Sequence, residues 1–142
     1  MDASAAYRNT VSQALAGFQL VEEMLKGYLD KHFSTTRMLL RGAVHFEFSR
    51  RDYQEAPLGR LVNVFSKLCA NEQLIRDLRA AVKDRDHLAH RALLKLYEVP
   101  RPSEEEFMQL LGEASRMMNL PSGLMDRIVD EMRKLDAIWT GT

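Results

Sequence analysis

Lys83-Asp84-Arg85-Asp86-His87-Leu88-Ala89-His90-Arg91 lies in the middle of the longest uninterrupted helical pattern in the chain. The apolar stripe through that pattern reads Ile75, Leu78, Val82, Arg85, Ala89, Ala92, Leu96, in steps of three or four. That is the period of an amphipathic helix. Arg85 stands where a Leu or Val belongs. A guanidinium stays charged at any ordinary pH, so on an apolar stripe it needs partners. Asp86 follows it directly, and His87 and His90 lie within five residues.

Helical spacing sorts these groups. Asp86 and His90 are four apart and share a ridge, as do His87 and His90 at three. Asp86 is therefore placed to fix the tautomer of His90 or to support its charged form. Arg85 and His90 are five apart, about 7.5 Å of rise and about 140° of net rotation on a regular α-helix. They do not share a ridge, so a site using both needs a long Arg reach or a ligand met from two sides. The plainer reading pairs Arg85 with a carboxylate at the core edge and leaves His87 and His90 in solvent.

Outward from this stretch the chain reads as all-α. A helix is expected from about Ala5 to Phe33, with Val11, Leu15, Phe18, Val21, Leu25, Tyr28 and Leu29 inside and Gly17 and Gly27 at close helix contacts. Ser34-Thr35-Thr36 is read as a break before a short helix ended by Gly42. Ala43 to Phe48 alternates like a strand but has no second strand to pair with, so an extended, packed connector is expected. A helix over about 57–70 follows, with Leu58, Leu61, Val62, Phe65 and Leu68 inside. Asn71 caps the motif helix, about 72–98, which Pro100 and Pro102 end. Ser103 with Glu106 forms a capping box for a further helix. Asn119-Leu120-Pro121-Ser122 marks a kink or break before the last helix. Short connections favour antiparallel neighbours, hence an up-and-down bundle of four to five main helices forming one domain over residues 1–142.

Composition narrows the function classes. Twenty basic against twenty acidic residues give zero formal net charge, which argues against coating nucleic acid by bulk charge but permits a local patch. From Lys31 to Arg60 six basic residues face three acids, with Phe46, Phe48 and Tyr53 interleaved. Such a mixture suits single-stranded nucleic acid, or simply a solvated loop with packed aromatics. The single cysteine, Cys69, excludes an intramolecular disulfide and reads as a structural thiol. No secretory signal or membrane span is read, so a cytoplasmic protein is expected. His87 and His90 with Asp84 or Asp86 offer two or three metal donors, but no second Glu-x-x-His motif completes a di-iron bundle, so no metal or other cofactor is expected.

Arg85-Asp86-His87-Leu88-Ala89-His90 resembles the signature of the HEPN superfamily, the higher eukaryotes and prokaryotes nucleotide-binding domains. In that family an Arg and a following polar residue precede a His after four to six intervening residues. Here the spacing is four. The stretches Phe18 to Leu29 and Pro57 to Val62 resemble the family's earlier helices, so the likeness covers about residues 10–98. The resemblance implies a metal-independent endoribonuclease acting as a homodimer, with two copies of the motif facing one cleft. Arg85 would hold the scissile phosphate. His90 would act as general base or acid while the RNA 2′-hydroxyl attacks, leaving a 2′,3′-cyclic phosphate. Asp86 would orient His90, and His87 would be a secondary candidate. Some members are toxins controlled by an antitoxin or act in defence systems; others are noncatalytic interaction or regulatory modules, in which Arg85 would be structural. Members modified by nucleotidyltransferase antitoxins carry a Tyr two residues after the His, where this chain has Ala92. The residue after the Arg is most often Asn, where this chain has Asp86.

Overall fold

A computed structural model describes residues 2–141. Among these residues five α-helices carry the architecture: α1 (Ala3–Leu40), α2 (Leu58–Leu68), α3 (Glu72–His87), α4 (Glu104–Met118) and α5 (Leu120–Thr140). Among the described residues there is no strand, and the helices pack as a bundle.

α1 is the axis. Asp2 caps it by accepting from the Ala5 amide, and it runs 38 residues before the chain turns left-handed at Arg41 and Gly42. The break expected at Ser34-Thr35-Thr36 does not occur. Thr35 Oγ1 donates to the Lys31 carbonyl and Thr36 Oγ1 to that of His32, at 2.8 and 2.9 Å. Hydroxyls that compete with the backbone elsewhere are here bonded back along the helix. Trp139 of α5 also donates to Thr35 Oγ1, which holds this turn against a neighbour.

Pairings along α1 give the direction of the other helices. Tyr7 meets Phe107, Gly17 faces Pro121, Gly27 faces Met132, and Lys31 pairs with Asp136. α4 and α5 therefore form one track parallel to α1, bent at Asn119. Pro121 sits in the first turn of α5, where its missing N–H costs no helix bond. α3 runs the opposite way, since Arg85 reaches Glu22 while Ala92 reaches Tyr7. α2 is antiparallel to α3, with Gly59 against Val82 and Arg79 bonded to Asn63. The long segment from Arg41 to Pro57 carries the chain back so that α2 starts beside the middle of α1. Its Ala43–Phe48 part is extended, as expected, but mostly exposed, with Phe46, Phe48 and Tyr53 gathered around Phe33. A 3-10 turn at Arg50–Tyr53 follows Ser49, whose amide donates to Asp52.

The core is the apolar stripe of α1 (Val11, Phe18, Val21, Leu25, Leu29) closed by Leu61, Phe65, Leu74, Leu78, Phe107 and Ile128. Burying each such side chain contributes about 1.5–3 kcal/mol. Asn71 caps α3 through its side chain at the Leu74 amide, and Ser103 caps α4 at the Glu106 amide. Both helix starts are where the sequence puts them. No described helix is long and apolar enough to cross a membrane.

The motif helix departs from a regular α-helix. Its fully buried face is Leu74, Leu78, Ala81, Leu88 and Ala92. Ile75 and Val82 are half-buried, and Ala89 is exposed, not inside. Leu78 and Ala92 are inside as expected, while Leu74, Ala81 and Leu88 take the places expected for Ile75, Val82 and Ala89, and Arg85 falls between Ala81 and Leu88 at the edge of the stripe. From Leu88 to Ala92 the turns widen into a π-helix, and from Leu93 to Tyr97 they tighten into a 3-10 helix.

Candidate functional site

Arg85 finds the carboxylates that its position demands. Its guanidinium lies 3.2 Å from Asp86 Oδ1 and 4.0 Å from Glu22 Oε1. The Arg85 side chain is 31% exposed and that of Glu22 only 17%. Glu22 comes from α1, one residue past the buried Val21, at the edge of the core. The expected pairing with a core-edge carboxylate is realised, and its partner was not identifiable from α3 alone.

On the outer side of the same helix, Lys83, Asp86, His87, His90 and Arg91 line an open concavity of about 400 Å³. Asp86 joins the two halves, since it accepts from Arg85 Nη1 and also walls the concavity. Arg85 is not part of that wall. His90 is exposed, while His87 is half-buried with its Nε2 3.8 Å from Glu113 Oε1 of α4. Within one chain, Asp86, His87 and His90 line the same concavity, and Arg85 is joined to it through Asp86, whose hydrogen bond goes to Arg85. The rotation worked out for a regular helix between Arg85 and His90 does not hold, because the π-helical turns intervene.

Asp84, the other acid of the motif, points elsewhere. It pairs with Arg116 of α4 at 3.8 Å. That pair and Asp77 with Arg127, at 2.7 Å, line a second groove of about 460 Å³ between α3 and the α4–α5 joint. The Arg127 hydrogen bond holds the Asp77 carboxyl below its ordinary value. Among the described residues, no three His, Cys, Asp or Glu side chains are grouped as metal ligands.

The basic connector is largely engaged by its own protein. Arg50 pairs with Glu23 at 2.7 Å, Arg37 donates to the Phe48 carbonyl, and Arg60 lies 5.5 Å from the centre of the Tyr53 ring. Its aromatics pack on Phe33, though Phe48 keeps half its surface exposed. The packed-loop reading holds for the rings.

Two arrangements had no sequence signal. One is a buried polar cluster far from the motif. Glu131 of α5 accepts from Lys134 at 2.8 Å, Asn71 at 3.2 Å and Cys69 at 3.3 Å. Burial pushes the Cys69 thiol up, with Glu131 adding to the effect, so Cys69 is a protonated, structural thiol as expected. Tyr28 beside it is likewise pushed far up by burial. The other is Tyr7, whose hydroxyl donates to the Ala92 carbonyl at 2.9 Å at the end of the π-helical segment.

Comparison with family models, curated proteins and solved structures finds no match to this chain.

Proposed function

We propose that this chain is a HEPN-like, metal-independent endoribonuclease that works as a homodimer. The observation that supports the reading is the link Glu22–Arg85–Asp86 beside His90: a core-edge guanidinium tied by one carboxylate to the wall of an open, basic concavity holding two histidines. Two copies of that concavity around a two-fold axis supply the cleft that one helix does not. RNA enters along Lys83 and Arg91. Arg85 exchanges its carboxylate contacts for the scissile phosphate, for which a planar fork of donors is suited. His90 takes the proton of the 2′-hydroxyl as it attacks the adjacent phosphorus. The bond from phosphorus to the 5′-oxygen breaks, a 2′,3′-cyclic phosphate forms, the leaving oxygen takes up a proton from water, and His90 returns its proton to solvent. Asp86 orients His90, and His87 assists from the same wall. Control by an antitoxin or another regulatory protein, as in toxin–antitoxin and defence systems, belongs to this reading.

The test is cleavage of a mixed RNA pool by purified protein in EDTA. Wild type is expected to cut and His90→Ala to leave only background. Equal background in both sinks the proposal.

A second reading has its own support. Arg85 is already satisfied by two carboxylates, as a structural residue in a noncatalytic interaction module would be. That reading expects no cleavage by wild type and a marked loss of thermal stability in Arg85→Ala. An Arg85→Ala protein that keeps its stability but loses cleavage excludes it.

A further inference from the structure

Tyr7 lies 85 residues before Ala92 in sequence, yet its hydroxyl donates to the Ala92 carbonyl at 2.9 Å. Ala92 ends the π-helical segment that begins at Leu88, and His90 sits at its centre. A wide turn of this kind gives up the ordinary i to i+4 ladder, and such bulges concentrate at functional sites. Its register therefore depends on what holds its inner face. That face is Leu88 and Ala92, both buried. Together with Tyr7, Leu110, Ala114 and Met117 of the neighbouring helices, they line a small cleft that His87 and Glu113 also border. Tyr7 is itself fixed, 2% exposed and with its ring 5.9 Å from that of Phe107.

From this geometry we infer that Tyr7 is a positioning residue for His90: its hydrogen bond to Ala92 pins the wide turn that aims the imidazole into the concavity. The inference rests on the endoribonuclease reading for its catalytic consequence, but the coupling of Tyr7 to His90 stands on the hydrogen bond. Burial, with Glu113 and Glu98 adding to it, pushes the Tyr7 phenol up, so the hydroxyl remains a donor at neutral pH. Nothing but the hydroxyl distinguishes Tyr7→Phe from wild type, since the ring and its packing on Phe107 are kept.

The experiment compares wild type and Tyr7→Phe by imidazole NMR and by RNA cleavage kinetics. His90 cross-peaks are expected to move in Tyr7→Phe while those of His45, on the connector, stay put. Where wild type cleaves, kcat is expected to fall roughly tenfold or more with KM unchanged, as a displaced general base requires. Unmoved His90 signals, or an unchanged kcat, overturn the inference. If wild type cleaves no RNA, the endoribonuclease reading falls by itself, and the His90 shift alone decides on Tyr7. If Tyr7→Phe does not fold, 3-fluorotyrosine placed at position 7 keeps ring and hydroxyl while strengthening the donor. A His90 shift in that protein supports the inference, and an unmoved one overturns it.

Discussion

Trp139 donates its indole N–H to Thr35 Oγ1 at 2.7 Å, tying the last turns of α5 to the last turns of α1. The same hydroxyl donates to the Lys31 carbonyl one turn earlier. One side chain thus bonds back along α1 and docks the end of α5. Thr35→Val keeps the shape and removes both bonds. It is predicted to lower stability by about 0.5–1.5 kcal/mol for the interhelical bond. Trp139 is the only tryptophan, so its emission is a clean reporter. Acrylamide should quench it more readily in Thr35→Val. Unchanged quenching and melting would show that the bond does not hold the two helix ends.

Gly17 and Gly112 make opposite predictions from the same substitution. A Cβ on Gly17 would lie 2.7 Å from Pro121 Cγ, on a ring that cannot rotate away. Gly17→Ala is predicted to destabilise by about 1–3 kcal/mol through overpacking. At Gly112, inside α4, a Cβ meets nothing within 4 Å. Gly112→Ala is predicted to stabilise by about 0.4–1 kcal/mol. Urea unfolding of the two variants checks the sign of each.

Glu131 gives a pH dependence. Burial pushes its carboxyl up, but hydrogen bonds from Lys134, Asn71 and Cys69 together outweigh that and hold it below its ordinary 4.5. A carboxyl lowered by folding contributes stability above its unfolded value, and that contribution is lost as pH falls through the folded value. Glu131→Gln is therefore predicted to be less stable than wild type at pH 7, by about 1–3 kcal/mol. The gap should close progressively as pH falls below about 4.5, the ordinary value. A gap that is constant from pH 7 to pH 3 would contradict the assignment.

Cys69 is predicted to resist thiol reagents in the folded protein. It is buried and its thiol is pushed up by burial, so little thiolate is available at pH 8. Labelling with a chromogenic disulfide should be slow in buffer and fast in urea. Fast labelling of native protein would mean that the α2–α3 junction opens readily.

Arg85→Leu separates structure from chemistry at the motif. Arg85 occupies the edge of an apolar stripe, and Leu fits that stripe, while Glu22, at 17% exposure, keeps water to hydrate its carboxylate. The variant is predicted to melt within a few degrees of wild type and to lose RNA cleavage. A large loss of stability would place Arg85 among the structural residues, with Glu22 as the partner that matters.

The sequence by itself determined the helices and most of their ends. Asn71 and Ser103 are oxygen-bearing side chains with a free amide two or three residues ahead, a purely local relationship. The stripe of α1 is equally local, because period alone chooses its face. Arg85 was legible as a residue in need of a partner for the same reason.

Only the tertiary structure decided who the partners are. Glu22 is separated from Arg85 by 63 positions, and nothing on α3 names it. That α1 runs on through Ser34-Thr35-Thr36, its hydroxyls bonded back to Lys31 and His32 and Thr35 also meeting Trp139 of α5, is likewise seen only in the folded structure. Part of the buried face of this helix lay one residue from the expected stripe, since Ala81 and Val82, or Leu88 and Ala89, are equally acceptable inside until a neighbour selects one. The wide turn carrying His90 had no local signature at all. It exists where Leu88 and Ala92 must both meet α1 and α4, and packing across the core, not propensity along the chain, sets that requirement.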